Sequence, residues 1–298
     1  MTDSLPSFFI IGAQKAGTTT LHHWLSDLPG VCLPGRKETH FFSHDERYAL
    51  GLSWYTRQFN GGGGICGEID PDYMFFPAAA SRIKALGLQP RFVVVVREPL
   101  ARAYSHYRMS VRRGLETLTF DEALTAEPQR LATGDIHHWR HHSYLARSRY
   151  AEQIKRFRSL FAPESLFILT FEDLFDPCDG SHTFGRLCTF LGIEPPRSPD
   201  LPVKKFNPAG APRSRLLNTL LWDKKRWPGL RRIVRNWIPF RELKYRIVHQ
   251  LDRANQKPVE EDEGWRGRVS GIFIQQAGRE AQRLADATGL DLHAWERN

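Results

Sequence analysis

Three groups of residues in this chain have the types and spacing to handle an anion and a proton. The first reads Gly12-Ala13-Gln14-Lys15-Ala16-Gly17-Thr18-Thr19-Thr20. Small residues let backbone N–H groups face an anion, and a helix beginning in the threonines adds the partial positive charge of its N-terminus. Lys15 brings a full charge, and the hydroxyls of Thr18, Thr19 and Thr20 bring further donors. An ordinary glycine turn would explain Gly12 and Gly17 but not a lysine followed by three threonines. The loop G-x-x-x-x-G-K-[ST] places its lysine after the second glycine and a hydroxyl on Mg²⁺. Here Lys15 precedes Gly17, an order that argues against metal–ATP chemistry.

The second group is Arg97 at the end of Val93-Val94-Val95-Val96, with Ser105 eight residues on. A guanidinium offers a bidentate grip on phosphate and a serine adds one donor. On its own, Arg97 reads better as pairing with Glu98 or a surface acid. The third is Glu68, in Gly67-Glu68-Ile69-Asp70-Pro71-Asp72-Tyr73. A carboxylate beside a phosphate cradle repels the ligand, so it needs a task. The tasks open to it are general base or neutralisation of Lys15 or Lys37.

Taken in order, these segments resemble the sulfotransferase superfamily. The run G-x-x-K-x-G-T-T after a strand is similar to its 5′-phosphosulfate loop. The run R-[DE]-P-x-x-R-x-x-S-x-Y is similar to its 3′-phosphate motif. Lys37-Glu38-Thr39-His40-Phe41-Phe42, Gly51-x-x-Trp54-Tyr55 and Gly67-Glu68-x-x-Pro71-x-Tyr73 resemble the heparan sulfate-type, carbohydrate-modifying branch. Ile69-Asp70 stands where that branch usually has lysine and a hydroxyl residue. The resemblance implies 3′-phosphoadenosine 5′-phosphosulfate (PAPS) as donor and adenosine 3′,5′-bisphosphate (PAP) as product, with no metal. It implies that Lys15 contacts the leaving phosphate, with Ala16, Gly17, Thr18, Thr19 and Thr20 around the 5′ end. Arg97 and Ser105 fall to the 3′-phosphate, with Tyr150 and Arg213 also on the nucleotide. Glu68 is the implied base, and Lys37, His40 and Asp70 the implied acceptor contacts. The acceptor class is a hydroxyl or amine of a glycan or glycan-like small molecule.

The elements expected to position these groups are short apolar strands alternating with helices. Strands are expected at Phe8–Ile11, Cys66–Ile69, Phe92–Val96 and Leu166–Thr170. The β-branched run before Arg97 has the composition of a central parallel strand covered on both faces. Helices are expected at Thr18–Leu28, Pro99–Arg113, Tyr150–Phe161 and His182–Leu191. Alternation of this kind predicts an α/β, three-layer, P-loop-like fold with a central parallel sheet flanked by helices. Ligands of such sheets sit at the carboxyl ends of the strands, where all three groups lie. A single domain is expected over 1–298, with a nucleotide-binding core at about 6–195 and a basic helical extension at about 196–298.

Composition narrows the partners. The chain has 298 residues and a formal charge of +9, with a pI near 9.6, which favours acidic ligands. The four cysteines are scattered without metal-ligand spacing and read as reduced thiols. No secretion signal or membrane-length apolar run is visible, and a cytoplasmic enzyme is the expectation. His137, His138, His141 and His142 around Trp139 read as a solvated loop or acceptor rim rather than a metal site. The basic, Trp-containing stretch from Arg213 to Asp252 reads as a helix face packed on the core, with acceptor or membrane-surface contact second. A nucleotide or sugar kinase and a non-enzymatic basic glycan- or nucleic-acid-binding protein are the alternatives; nucleic acid is not an expected partner. The sequence leaves the oligomeric state open.

Overall fold

A computed structural model describes residues 5–59, 64–196, 210–212, 256–258 and 262–296. Five parallel strands form the central sheet among these residues: β1 (Phe8–Gly12), β2 (Val31–Cys32), β3 (Ile65–Ile69), β4 (Arg91–Val96) and β5 (Leu166–Thr170). Their order across the sheet is β2-β3-β1-β4-β5, so each neighbour is reached by a crossover. β1 and the last five residues of β4 are buried throughout, as apolar strands covered on both faces must be. The four strands expected from sequence are present, and the two-residue edge strand β2 is an addition. Val31 and Cys32 alone are too short a run to announce a strand.

In chain order the α-helices are α1 (Thr18–Ser26), α2 (Asp45–Tyr48), α3 (Leu52–Thr56), α4 (Asp72–Phe75), α5 (Pro77–Lys84), α6 (Pro99–Arg112), α7 (Phe120–Ala132), α8 (Ile136–His141), α9 (Tyr150–Arg158), α10 (Phe171–Leu174), α11 (Gly180–Leu191), α12 (Gly271–Thr288) and α13 (His293–Glu296). No helix among the described residues is long and apolar enough to cross a membrane.

The chain packs as two compact units. The first takes residues 1–102, 146–206 and 275–298; the second takes 103–145 and 207–274. The change of unit falls inside α6, where an unbroken helix gives no sequence punctuation. The first unit holds the sheet. Its core joins Phe9 to Phe42, Tyr73 and Phe92, and Phe92 to Phe157 and Phe161. Trp295 on α13 packs into the same core and donates its indole N–H to Glu172 at 3.0 Å.

The second unit is organised around Glu116. Its carboxylate accepts from both Arg130 nitrogens at 2.5 and 3.2 Å, from Tyr144 Oη at 2.9 Å and from the Thr117 and Leu118 amides. Tyr104 stacks on Trp265 with ring centroids 4.2 Å apart. A short antiparallel pair, β6 (Gly210–Pro212) with β7 (Gln256–Pro258), belongs to this unit.

Close packing fixes one position of β3 that bears on the site. Gly67 is opposite Phe8 of β1, and a Cβ on Gly67 would meet the buried Phe8 ring at 2.0 Å. Gly67→Ala is therefore expected to destabilise the first unit by about 3 kcal/mol through overpacking. Urea denaturation followed by tryptophan fluorescence measures this, and an unchanged midpoint would contradict the packing described.

Candidate functional site

The anion loop is the turn from β1 to α1. Gly17 caps α1 with φ +89°, and no side chain occupies the cap. Glycine is required there twice over, since a Cβ would also lie 2.5 Å from the Phe175 ring. Helix geometry leaves the first-turn amides of Thr18 and Thr19 without acceptors inside α1. Lys15 also has positive φ, at 73°, and Ala16 turns its amide back to Ala13 O at 3.1 Å. Thr18 and Thr20 are buried, while Lys15 and Thr19 are half-buried. The loop thus offers an uncapped helix terminus with a lysine at its lip, the arrangement an oxyanion needs.

Arg97 lies against this loop. Its guanidinium donates to the Lys15 carbonyl at 3.4 Å and stands over the Phe171 ring at 4.7 Å. Arg102, fully buried, donates to the Gln14 carbonyl at 3.3 Å and to Ser148 Oγ at 2.6 Å. Sequence reasoning singled out Arg97 but not Arg102, whose role appears only once α6 is seen to begin behind the loop. The feared Arg97–Glu98 pairing has a different occupant: Glu98 accepts from the Leu100 and Ala101 amides at 2.9 and 2.6 Å, capping α6. Ser105 is half-buried on α6 in the second unit.

Tyr150 does not reach a ligand. It is fully buried, and its hydroxyl donates to the Arg97 carbonyl at 2.8 Å. Burial pushes the phenol up to about 12, so it remains a donor at neutral pH. Its hydroxyl fixes the Arg97 backbone. Arg213, Lys204, Lys205 and the basic Trp-containing stretch lie outside the described residues.

Glu68 is where the structure departs most from expectation. It has no exposed surface, and four donors converge on its two oxygens. Oε1 accepts from Thr39 Oγ1 at 2.5 Å and the Thr39 amide at 3.1 Å. Oε2 accepts from Tyr55 Oη at 2.6 Å and Tyr73 Oη at 2.9 Å. Burial and the neighbouring Asp70 push the carboxyl up to about 7 against these hydrogen bonds. A carboxylate sealed in this way holds segments together and cannot meet an acceptor hydroxyl. Asp70 is sealed too: Oδ2 accepts from the His40 amide at 2.7 Å and Oδ1 from the Asp72 amide at 3.1 Å. It shapes the loop and is not an acceptor contact.

The accessible groups are those on the loop that Glu68 and Asp70 hold. Lys37 and Glu38 pair at 2.5 Å with side chains 22% and 31% exposed. His40, with φ 55°, is near Glu38 (3.9 Å), Asp70 (3.1 Å) and Asp72 (3.4 Å). Burial works to lower the His40 pKa, yet these carboxylates outweigh it and raise it to about 9. Burial likewise works to raise Glu38, but Lys37 and His40 hold it below the ordinary range. The charges of Lys37 and Glu38 are also felt by His22 of α1, which burial and Lys37 lower to about 4. Asp72 is anchored by Arg147 at 2.7 Å, and Arg147 stands over the Phe75 ring. Of the expected acceptor contacts, Lys37 and His40 are accessible. Glu38 is the residue that sequence reasoning passed over; its signal was its place between Lys37 and His40.

Comparison with known proteins agrees with this geometry. Residues 5–256 match the sulfotransferase domain family model. The human heparan sulfate glucosamine 3-O-sulfotransferase 3B1 is 31% identical over 194 residues, 64% of this chain and 47% of that protein. The membrane-associated sulfotransferase kil1 of Dictyostelium discoideum is 30% identical over 113 residues, 36% of this chain and 24% of that protein. The chain spans about half the length, or less, of the curated relatives it matches. Among solved structures, a sulfotransferase from Alicyclobacillus acidocaldarius superposes with a TM-score of 0.66 at 25% identity, covering 98% of this chain and 99% of that one. The parallel sheet, the uncapped loop after β1 and the family match converge: the chain belongs to the sulfotransferase domain family.

Proposed function

We propose that this chain transfers a sulfuryl group from PAPS to a hydroxyl or amine of a glycan or glycan-like acceptor, with Glu38 as the base. The observation that carries the reading is the contact of Arg97 with the Lys15 carbonyl, 3.4 Å long. It brings the Arg97 guanidinium beside the anion loop, at the carboxyl ends of the neighbouring strands β1 and β4, which supports a ligand carrying more than one phosphate. The human relative's name supports a sugar acceptor; the reading of this chain adds accessible Lys37 and His40 as cations for an acidic glycan.

The donor supplies an activated sulfuryl group. The amides at the start of α1 and Lys15 stabilise charge on the departing phosphate, an electrostatic effect worth roughly 3–4 kcal/mol per donor elsewhere. Arg97 holds the distal phosphate, and Tyr150 holds Arg97. As the acceptor oxygen bonds to sulfur and the sulfur–phosphate oxygen bond breaks, the acceptor proton passes to Glu38. Lys37 and His40 keep Glu38 ionised and ready for it. Glu68 contributes by fixing Thr39, the residue between Glu38 and His40.

Three outcomes are expected. PAP binds without Mg²⁺ in calorimetry, and Arg97→Ala weakens it by about 10–100-fold, the worth of a charged hydrogen bond; strict Mg²⁺ dependence would favour a kinase. With labelled PAPS and a panel of glycans, Glu38→Gln lowers kcat by about 10²–10⁴-fold while PAP affinity holds. Glu68→Gln costs stability, about 1–3 kcal/mol, and costs turnover less than Glu38→Gln does; the reverse ranking returns the base to Glu68. A further outcome concerns pH. Folded Glu68 keeps its proton to about pH 7 and the unfolded form releases it near 4.5, so the native state binds more protons in that window. The Glu68 contribution to stability therefore falls as pH rises from 4.5 to 7, while His22, lowered to about 4, contributes in the opposite sense over much of that range. Denaturation across the range should show the native chain losing stability relative to Glu68→Gln as pH rises.

A further inference from the structure

The histidines at the end of α8, in the second unit, take no part in the proposed transfer. His138 and His142 are four residues apart, the spacing at which two imidazoles on a helix face one ligand. Their Nδ1 atoms are 2.8 Å apart. The Nε2 of buried His142 is 2.9 Å from the Leu115 carbonyl, an acceptor only. His142 must carry its proton on Nε2, so its Nδ1 presents a lone pair toward His138. A histidine oriented by a backbone carbonyl on one nitrogen, with the lone pair of the other turned toward a second imidazole, is placed as proteins place a metal ligand. His137 brings a third imidazole, its ring centroid 5.3 Å from that of His142, and one nitrogen from each of the three lies within 4.8 Å of the others.

We propose that His137, His138 and His142 bind one borderline divalent metal ion, such as Zn²⁺, at a structural site separate from the sulfuryl-transfer chemistry. Three neutral imidazoles suit Zn²⁺, Cu²⁺ or Ni²⁺ rather than Mg²⁺ or Ca²⁺. Two nitrogens bound at ~2.0–2.1 Å to a tetrahedral ion stand about 3.4 Å apart, a small ring adjustment from the hydrogen-bonded spacing. On binding, His138 gives up the Nδ1 proton of the metal-free hydrogen bond and takes one on Nε2, so the ring stays neutral. Arg130, whose charge is felt by His142, is paired with Glu116 at 2.5 Å. The bound ion would tie the end of α8 to the turn at Leu115. The other histidine cluster, His40 with His44 and Asp72, is less suited. His40 is pushed up to about 9 toward the imidazolium, and Asp72 already holds Arg147 at 2.7 Å.

The test uses the full chain without a histidine tag, stripped with chelator and titrated with Zn²⁺ in a calorimeter. One equivalent should bind and raise the melting temperature. His138→Gln and His142→Gln should each weaken binding more than about tenfold, since outer-shell partners alone are worth 10–100-fold. His44→Gln and the exposed-surface variant His182→Gln should bind as the parent does. His138 is only half-buried, so its variant tests the site even if His142→Gln unfolds. With Cu²⁺ in place of Zn²⁺, electron paramagnetic resonance should show coupling to imidazole nitrogens that His138→Gln reduces. Absence of stoichiometric binding, full affinity in His138→Gln, or loss confined to His44→Gln would overturn the proposal.

Discussion

The arrangement around the proposed transfer site depends on one buried carboxylate. Glu68 takes four hydrogen bonds from Thr39, Tyr55 and Tyr73, which lie on three separate stretches of chain. A charge or half-charge without solvent is costly unless every lone pair is met, and here the donors come from the segments that must be brought together. Removing any partner strands another, so the group is fixed as a unit. Its product is a single conformation for Thr39, and with it the placement of Glu38 and His40 on either side. Asp70 does the same for the His40 backbone, which explains why an acid can stand where the related branch usually has a hydroxyl residue.

Much of this was legible in the residues. The β-branched run at 92–96 identified a parallel sheet, and strands β1, β3, β4 and β5 coincide with the expected apolar runs. The segments Lys37–Phe42, Trp54-Tyr55 and Gly67–Tyr73 were each noticed. That they converge was not, because the contact uniting them spans up to 34 positions and depends on which way two tyrosines point. Pattern identifies a carboxylate with a task; only burial separates a base from a fastener. Tyr150 is the same case, a matched position whose hydroxyl is spent on a neighbour's backbone.

The second unit was the least legible part. α7 and α8 follow polar, proline-containing and histidine-rich sequence, in which the apolar period is weak. The capping box of Thr119 and Glu122 starts α7, and Asp135 caps α8 through the His137 amide at 2.8 Å. Glu116, the hub of this unit, is one acid among 33 Asp and Glu residues, and nothing in its immediate sequence marks it.

The crowding of positive charge about the anion loop has a consequence for the protein between turnovers. Lys15 sits in the loop, while Arg97 and the wholly buried Arg102 both donate to its carbonyls. An uncapped helix terminus flanked by cations suits any small multivalent oxyanion, not one nucleotide alone. Sulfate or phosphate in the medium would then firm the fold by mass action and compete with the proposed donor.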